Sequence, residues 1–210
     1  GRWNEPEMTG AEKELPVPRF AGEETRQQTA LSGSARGTAI HRMCEKIDYH
    51  VWKDPAGVTA EEFESRVAQL LGAGTIPKEY VPVLTPGRFL PFLRSRTAAR
   101  MAAADGKNVL KREQPFVLGI PASRLNAGFP EDETILIQGI IDAFFLEGEG
   151  ENLHAVVVDY KTDRVKNMEE LADRYRIQLD YYAQALSKML RLPVTERIIY
   201  SFHLQREISV

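Results

Sequence analysis

Apolar positions recur at helical spacing in the first half of this chain and gather into strand-like runs in the second. Ala39, Ile40, Met43, Cys44, Ile47 and Val51 follow Gly37-Thr38 at the spacing of one helix face, which predicts a helix with Thr38 as its cap. A second amphipathic segment covers Ala60 to Leu71, with a cap near Thr59 and the Gly72-Ala73-Gly74 step as its end. Pro77, Pro82, Pro86 and Pro91 then break the chain into short helical pieces before Phe92 to Ala104. Val109 to Leu118 reads as a strand, and Pro115 assigns it to an edge or a bulge. After a polar loop from Pro121 to Glu133, the run Ile135 to Ile141 ends at Asp142. The Gly148 to Glu151 segment turns the chain into a second run, Val156-Val157-Val158, which leads into Asp159-Tyr160-Lys161-Thr162. Glu169 to Leu190 carries Leu171, Tyr175, Gln178, Tyr182, Leu186 and Met189 on one stripe. Leu192-Pro193 stops that helix, and Arg197 to Leu204 alternates as a closing strand. A meander, a helical crossover and a further strand predict an α/β fold: a mixed central sheet flanked by helices, with a helical insertion before it.

Side chains alternate along a strand, so Asp159 and Lys161 share one face and Tyr160 takes the other. A hairpin would set Asp142 beside Asp159. Two carboxylates and a lysine on neighbouring strands equip a site for a hard cation and for metal-assisted hydrolysis of a phosphodiester. An Asp-x-Lys pair alone reads equally as a salt bridge across the sheet. A single helical His41, with Glu45 and Asp48 on its face, reads as a surface or satisfied core residue. Gln178 is a polar member of an apolar stripe and requires a partner. Arg88, Arg94, Arg96, Arg100, Lys107, Lys111 and Arg112 face a single acid, Asp105, over their stretch. That stretch suits either phosphate contact or a solvated helix face, with Phe89 and Phe92 in the core.

The chain has 210 residues, enough for one domain and a substantial core. Residues 1–33 hold Pro6, Pro16, Pro18 and several glutamates and read as a linker or disordered arm; the start without Met suggests a piece cut from something longer. Residues 34–210 form the domain. No apolar run is long enough to span a bilayer and no signal-peptide pattern opens the chain, which points to a cytoplasmic protein. The net charge of -3 carries no global sign of nucleic-acid binding. One cysteine, Cys44, excludes a disulfide framework, a zinc knuckle and a cysteine-ligated iron–sulfur cluster within the chain. No Walker-type phosphate loop is present, so the chain does not hydrolyse ATP by that route.

Five stretches in order, Gly37-Thr-Ala-Ile-His41, Arg112-Glu-Gln-Pro-Phe116, Gln138-Gly-Ile-Ile-Asp142, Asp159-Tyr-Lys-Thr162 and Gln178-Leu-Asp-Tyr-Tyr182, resemble the RecB-like branch of the PD-(D/E)XK nuclease superfamily. Within it they are most similar to the nuclease domains of AddA-type helicase-nuclease subunits, over roughly residues 34 to 205. The resemblance implies a restriction-endonuclease-like fold. It implies that His41, Asp142, Asp159 and the Tyr160 carbonyl ligate Mg²⁺, with Mn²⁺ also admitted. Lys161 would stabilise charge and position water, Gln178 and Tyr182 would border the site and touch DNA, and Glu113 would support it. Arg94, Arg96 and Arg100 are the expected DNA contacts. The expected substrate is single-stranded DNA fed by helicase domains of the same full-length chain, with an AddB-type partner subunit, in recombinational repair of double-strand breaks. The iron–sulfur relatives carry four cluster ligands that this chain lacks. A stand-alone exonuclease of the same superfamily, or a non-catalytic module binding DNA or a partner, are the other readings.

Overall fold

A computed structural model of the protein describes residues 31–51, 55–124, 128–130 and 132–210. The first helix, α1 (Gly33–Lys46), starts earlier than its apolar periodicity. Ser32, extended at ψ 162°, accepts from the Ala35 amide at 3.2 Å and is the cap; Thr38 lies inside the helix and donates to the Ser34 carbonyl. The opening turns are largely exposed, so no apolar side chain marked them. Leu31 already packs against the core, which starts the folded unit a few residues before Ser34; the rest of the expected arm lies outside the described residues. Helix α2 (Ala60–Gly72) has the expected Thr59 cap, completed as a capping box by Glu62. The helix expected from Phe92 to Ala104 is instead two, α3 (Pro86–Leu93) and α4 (Arg96–Asp105), because Ser95 leaves the helical path and caps α4 through the Ala98 amide.

One five-stranded sheet follows, in spatial order β1 (Leu110–Pro121), β2 (Thr134–Glu147), β3 (His154–Lys161), β4 (Val194–Ser201) and β5 (Arg206–Ser209). Only β3 and β4 run parallel, because the chain between them crosses over as α5 (Met168–Leu190). The closing strand ends at Ser201, short of the expected Leu204, and the chain turns back through Gln205, at φ 53°, into the additional edge strand β5. Strand β1 is the other edge, as Pro115 implied.

The sheet separates two cores. Val156, Val158, Tyr160, Ile198 and Tyr200 face α1 to α4, whose Phe63, Phe89, Phe92 and Met101 are fully buried. Val157 and Ile199 face the opposite way, against Leu171, Leu179, Tyr182 and Leu186 of α5. Met189, expected on that stripe, is 48% exposed; Leu179 and Ala185 are buried there instead.

Strict alternation fails at one place. Pairing of β1 with β2 keeps a single register from Leu110↔Phe145 to Pro121↔Thr134 but lapses at Glu113 and Asp142. Leu110, Ala143 and Phe145 lie in the first core, whereas Phe116, Leu118 and Ile141, of the same parity on their strands, lie in the second. The cause is Glu113, whose φ of 49° is left-handed and turns the strand over. Beyond this point β1 and β2 continue as a two-stranded ribbon. One face of the ribbon packs on α5, and the other leaves Val117 (66%), Leu136 (68%) and Ile140 (51%) uncovered.

A side chain in left-handed backbone is strained, and glycine relieves that strain. Glu113→Gly is expected to be more stable than Glu113→Ala by about 1 kcal/mol in denaturant titrations with EDTA, since both remove the carboxylate and only one relieves the backbone. Equal stabilities would place the cause of the turnover elsewhere.

Candidate functional site

The site forms where β2 leaves β3. Their pairing runs from Glu147↔His154 to Ala143↔Val158 and stops one residue short of Asp142 and Asp159. Beyond it the Asp142 carboxylate takes over from the backbone: Oδ2 accepts from the Tyr160 amide at 2.8 Å, while Oδ1 lies 3.2 Å from His41 Nδ1. Strand β2 continues through Asp142 to Glu147, so this aspartate lies within the strand and not at its end. Helix α1 can bring His41 there because it passes very close to the end of β3; a Cβ on Gly37 would stand 3.1 Å from Thr162 Oγ1. His41 follows one turn later and sets its ring edge-on to Tyr160.

Ligand atoms of His41, Glu113 and Asp142 all lie within 4.8 Å of one another. Glu113 is thus a member of the donor cluster, beyond the supporting role expected from the sequence. The left-handed backbone that puts it there left no mark in the residue pattern. Asp159 stands behind, 1% exposed, with Lys161 Nζ at 2.7 Å from its Oδ2. Lys161 also donates to Gln178 Oε1 at 3.2 Å and sits 4.0 Å above the Tyr175 ring. Gln178 in turn donates to the Tyr182 hydroxyl at 2.6 Å, and the Tyr182 ring packs edge-on against Phe116. The polar member of the apolar stripe is therefore fully engaged. Tyr175 was legible only as one of that stripe.

Charges in this cluster oppose one another. Burial pushes the Asp159 carboxyl up, Lys161 pulls it down and Asp142 raises it again, leaving it at about 6. Burial also raises Asp142, but His41, Lys161 and the Tyr160 amide outweigh that and hold it below the ordinary carboxylate value. Burial and Asp142 raise Glu113. Burial would lower His41 and Lys161, but the aspartates prevail, so both hold their protons more firmly than usual. Lys161 is accordingly a fixed ammonium, suited to charge stabilisation and unsuited to removing a proton. Carboxylates that repel each other beside an imidazole form a donor set that a divalent cation relieves. Oxygen donors with one nitrogen fit Mg²⁺ or Mn²⁺.

The basic stretch has other duties. Arg94 donates to the Val58 carbonyl, at 2.6 Å through Nη2. Arg100 grips Glu147 through two nitrogens at 2.9 and 2.8 Å and Glu196 through a third at 2.7 Å. Glu147 lies five residues beyond Asp142 along β2, roughly 17 Å at strand rise. Arg88 donates to the Val83 carbonyl and Arg112 pairs with Asp105. Of the three expected DNA contacts, Arg96 alone is exposed with its side chain in no hydrogen bond or ion pair among the described residues, and it acts on Glu196 only through its charge. His50 pairs with Asp105 and His154 with the Asn152 carbonyl.

A mixed sheet that gathers strand-borne carboxylates, a fixed ammonium and a helix-borne imidazole at a splayed strand end has the donors that could hold a hard cation for hydrolysis. A model of the PD-(D/E)XK nuclease superfamily matches residues 15–207, and the chain belongs to that superfamily. It is 33% identical over 201 residues to an ATP-dependent helicase/nuclease subunit of Clostridium botulinum strain Loch Maree. Over 232 residues it is 33% identical to the protein of the same name in Lachnoclostridium phytofermentans. These alignments cover 94% of this chain in both cases, but 14% and 16% of the relatives, so the chain spans about one-seventh of their length. No helix among the described residues is long and apolar enough to cross a membrane.

Two outcomes follow from the charges. With Asp159 and His41 as donors both would have to lose protons to hold a cation, so Mn²⁺ affinity measured by calorimetry is expected to rise from pH 5.5 through about 6 and level off above the raised His41 value. For the cation-free fold the sign is reversed for these two groups. Each, raised in the fold, adds stability at low pH that is lost as pH climbs through its folded value. A Mn²⁺ affinity that does not change with pH would remove these groups from the donor set.

For the arginines, Arg94→Gln and Arg100→Gln are each expected to lower unfolding free energy by about 1 kcal/mol, discounted for partial exposure. The salt slope of single-stranded DNA binding should stay unchanged. A slope reduced by about 0.7 per residue would instead make them phosphate contacts.

Proposed function

We propose that this chain is the nuclease domain of a helicase-nuclease, hydrolysing phosphodiester bonds of single-stranded DNA delivered by attached helicase domains. The carrying observation is the gathering of His41, Glu113 and Asp142 within ligand distance of one another, with Lys161 held on Asp159 beside them. His41, Asp142, Asp159 and the Tyr160 carbonyl would hold Mg²⁺ or Mn²⁺, with Glu113 completing the donors from β1. A bound cation there supplies a lowered pKa for water and neutralises charge that develops on the phosphate. Lys161, already charged, steadies the same developing charge; Gln178 fixes where that ammonium points, and Tyr182 anchors Gln178 from below. With Arg94 and Arg100 committed to the fold, DNA contact falls to Gln178 and Tyr182 at the site and, apart from them, to the exposed Arg96.

The uncovered apolar face of the β1–β2 ribbon supports a module that works against other protein, because a patch of Val117, Leu136 and Ile140 is costly to leave in water. Helicase domains of a longer chain, and an AddB-type partner, are the occupants this reading supplies. Recombinational repair of double-strand breaks is the process such an enzyme would serve.

Cleavage of end-labelled single-stranded DNA with Mg²⁺, Mn²⁺, Ca²⁺ or EDTA tests the reading. Cutting is expected with Mg²⁺ or Mn²⁺ and not with EDTA, and Asp159→Ala should lower it at least a hundredfold while the protein stays folded. Full Mg²⁺-dependent activity in that variant would remove the site from the chemistry.

A further inference from the structure

Lys161 is gripped from two sides, and one of the gripping groups is an aromatic face. Its Nζ lies 2.7 Å from Asp159 Oδ2 on one side; on the other are Gln178 Oε1 at 3.2 Å and the Tyr175 ring centroid at 4.0 Å. Tyr175 and Gln178 lie three residues apart on α5, on one face, so both reach down onto the end of β3. The Tyr175 hydroxyl lies toward Asp163, which follows β3 and pairs with Arg174 at 3.5 Å; burial first, and then Asp163, raise the phenol above its ordinary value.

We propose that Tyr175 is a positioning residue for the nuclease reaction, an aromatic clamp that holds the Lys161 ammonium at the site by its ring face. This rests on the function proposed above. Asp159 already takes the ammonium at full hydrogen-bond distance through Oδ2, and a group on the far side of Nζ fixes the direction in which its remaining N–H bonds point. A second carboxylate on α5 could do this but would itself compete for the cation. A ring face attracts an ammonium through its quadrupole and brings no charge, and the attraction strengthens with desolvation. Lys161 is only 11% exposed, so the desolvation is present. The sequence pattern assigns Tyr175 to the apolar stripe, and its half-buried ring packs at the margin of that core with Lys161 over its face.

The test compares Tyr175→Phe, which keeps the ring, with Tyr175→Leu, which removes it, and uses Tyr175→Met as a second non-aromatic variant if the leucine protein does not fold. The ε-methylene resonance of Lys161, assigned by its loss in Lys161→Arg, should be shifted upfield by the ring in the parent chain and in Tyr175→Phe. It should return to an ordinary position in the non-aromatic variants. In single-stranded DNA cleavage, kcat should fall about tenfold in the non-aromatic variants, the size a partly desolvated cation–π contact sustains. KM and Mn²⁺ affinity should stay within about twofold, and Tyr175→Phe should keep kcat within about threefold of the parent. The proposal is overturned by an unshifted Lys161 resonance in the parent, by unchanged kcat in the non-aromatic variants, or by equal losses in Phe and Leu. If the parent cleaves nothing with any cation, the nuclease reading fails on that result, and the resonance still decides whether the ring holds the lysine.

Discussion

Two carboxylates, Asp159 fully buried and Asp142 largely so, stand at adjacent positions where the backbone pairing of β2 and β3 has just stopped. That juxtaposition is unfavourable in itself, since both must shed water and each repels the other. Everything around it answers the cost. His41 faces Asp142, Lys161 faces Asp159, and the Tyr160 amide gives Asp142 a hydrogen bond in place of the lost ladder. The cluster stays short of full compensation, since Asp159 retains an affinity for protons near neutrality. A site left in that condition is one that a divalent cation would relieve, in keeping with the function proposed above.

The scaffold supplies this geometry by three local departures from regularity. Glu113 adopts a left-handed backbone and turns β1 over, so that β1 and β2 can serve one core on one side of the site and the other core beyond it. Gly37 lets α1 approach Thr162 more closely than most side chains would, and His41 follows from that approach. Gln178 places a polar group in the buried stripe of α5, made tolerable because both ends of its amide are satisfied. Each departure weakens a packing rule, and all three lie at one end of the sheet. Strained or locally inconsistent positions concentrate where chemistry is done.

The arginines illustrate how composition misleads about surface chemistry. Seven basic residues against one acid over Arg88 to Arg112 look like a phosphate-binding helix, but Arg100 is claimed by acids from elsewhere in the chain, Arg88 and Arg94 by backbone carbonyls and Arg112 by Asp105. Arg100 is neutralised by Glu147 of β2 and Glu196 of β4, distant in sequence and brought within reach on either side of β3. A count of charge along a segment registers only local partners, whereas folding decides the rest.

What the residues alone determined was the order of elements and the identity of most of the groups at the site. Helical and strand periodicities are local, so α2, α5, the hairpin of β2 and β3, and the edge placement of β1 could be read from spacing and from Pro115. Side-chain alternation put Asp159 and Lys161 on one face, and five motifs in order marked the superfamily. Tertiary structure alone decided which groups meet. Glu113 joined His41 and Asp142 because one residue left the strand conformation, a reversal that no hydrophobic pattern encodes when the run on β2 is apolar on both faces. Tyr175 became a partner of Lys161 because α5 lies across the end of β3, and β5 exists because β4 offers it an unpaired edge. Periodicity reports which face a residue takes within its own element, and the distance between two elements is set by packing.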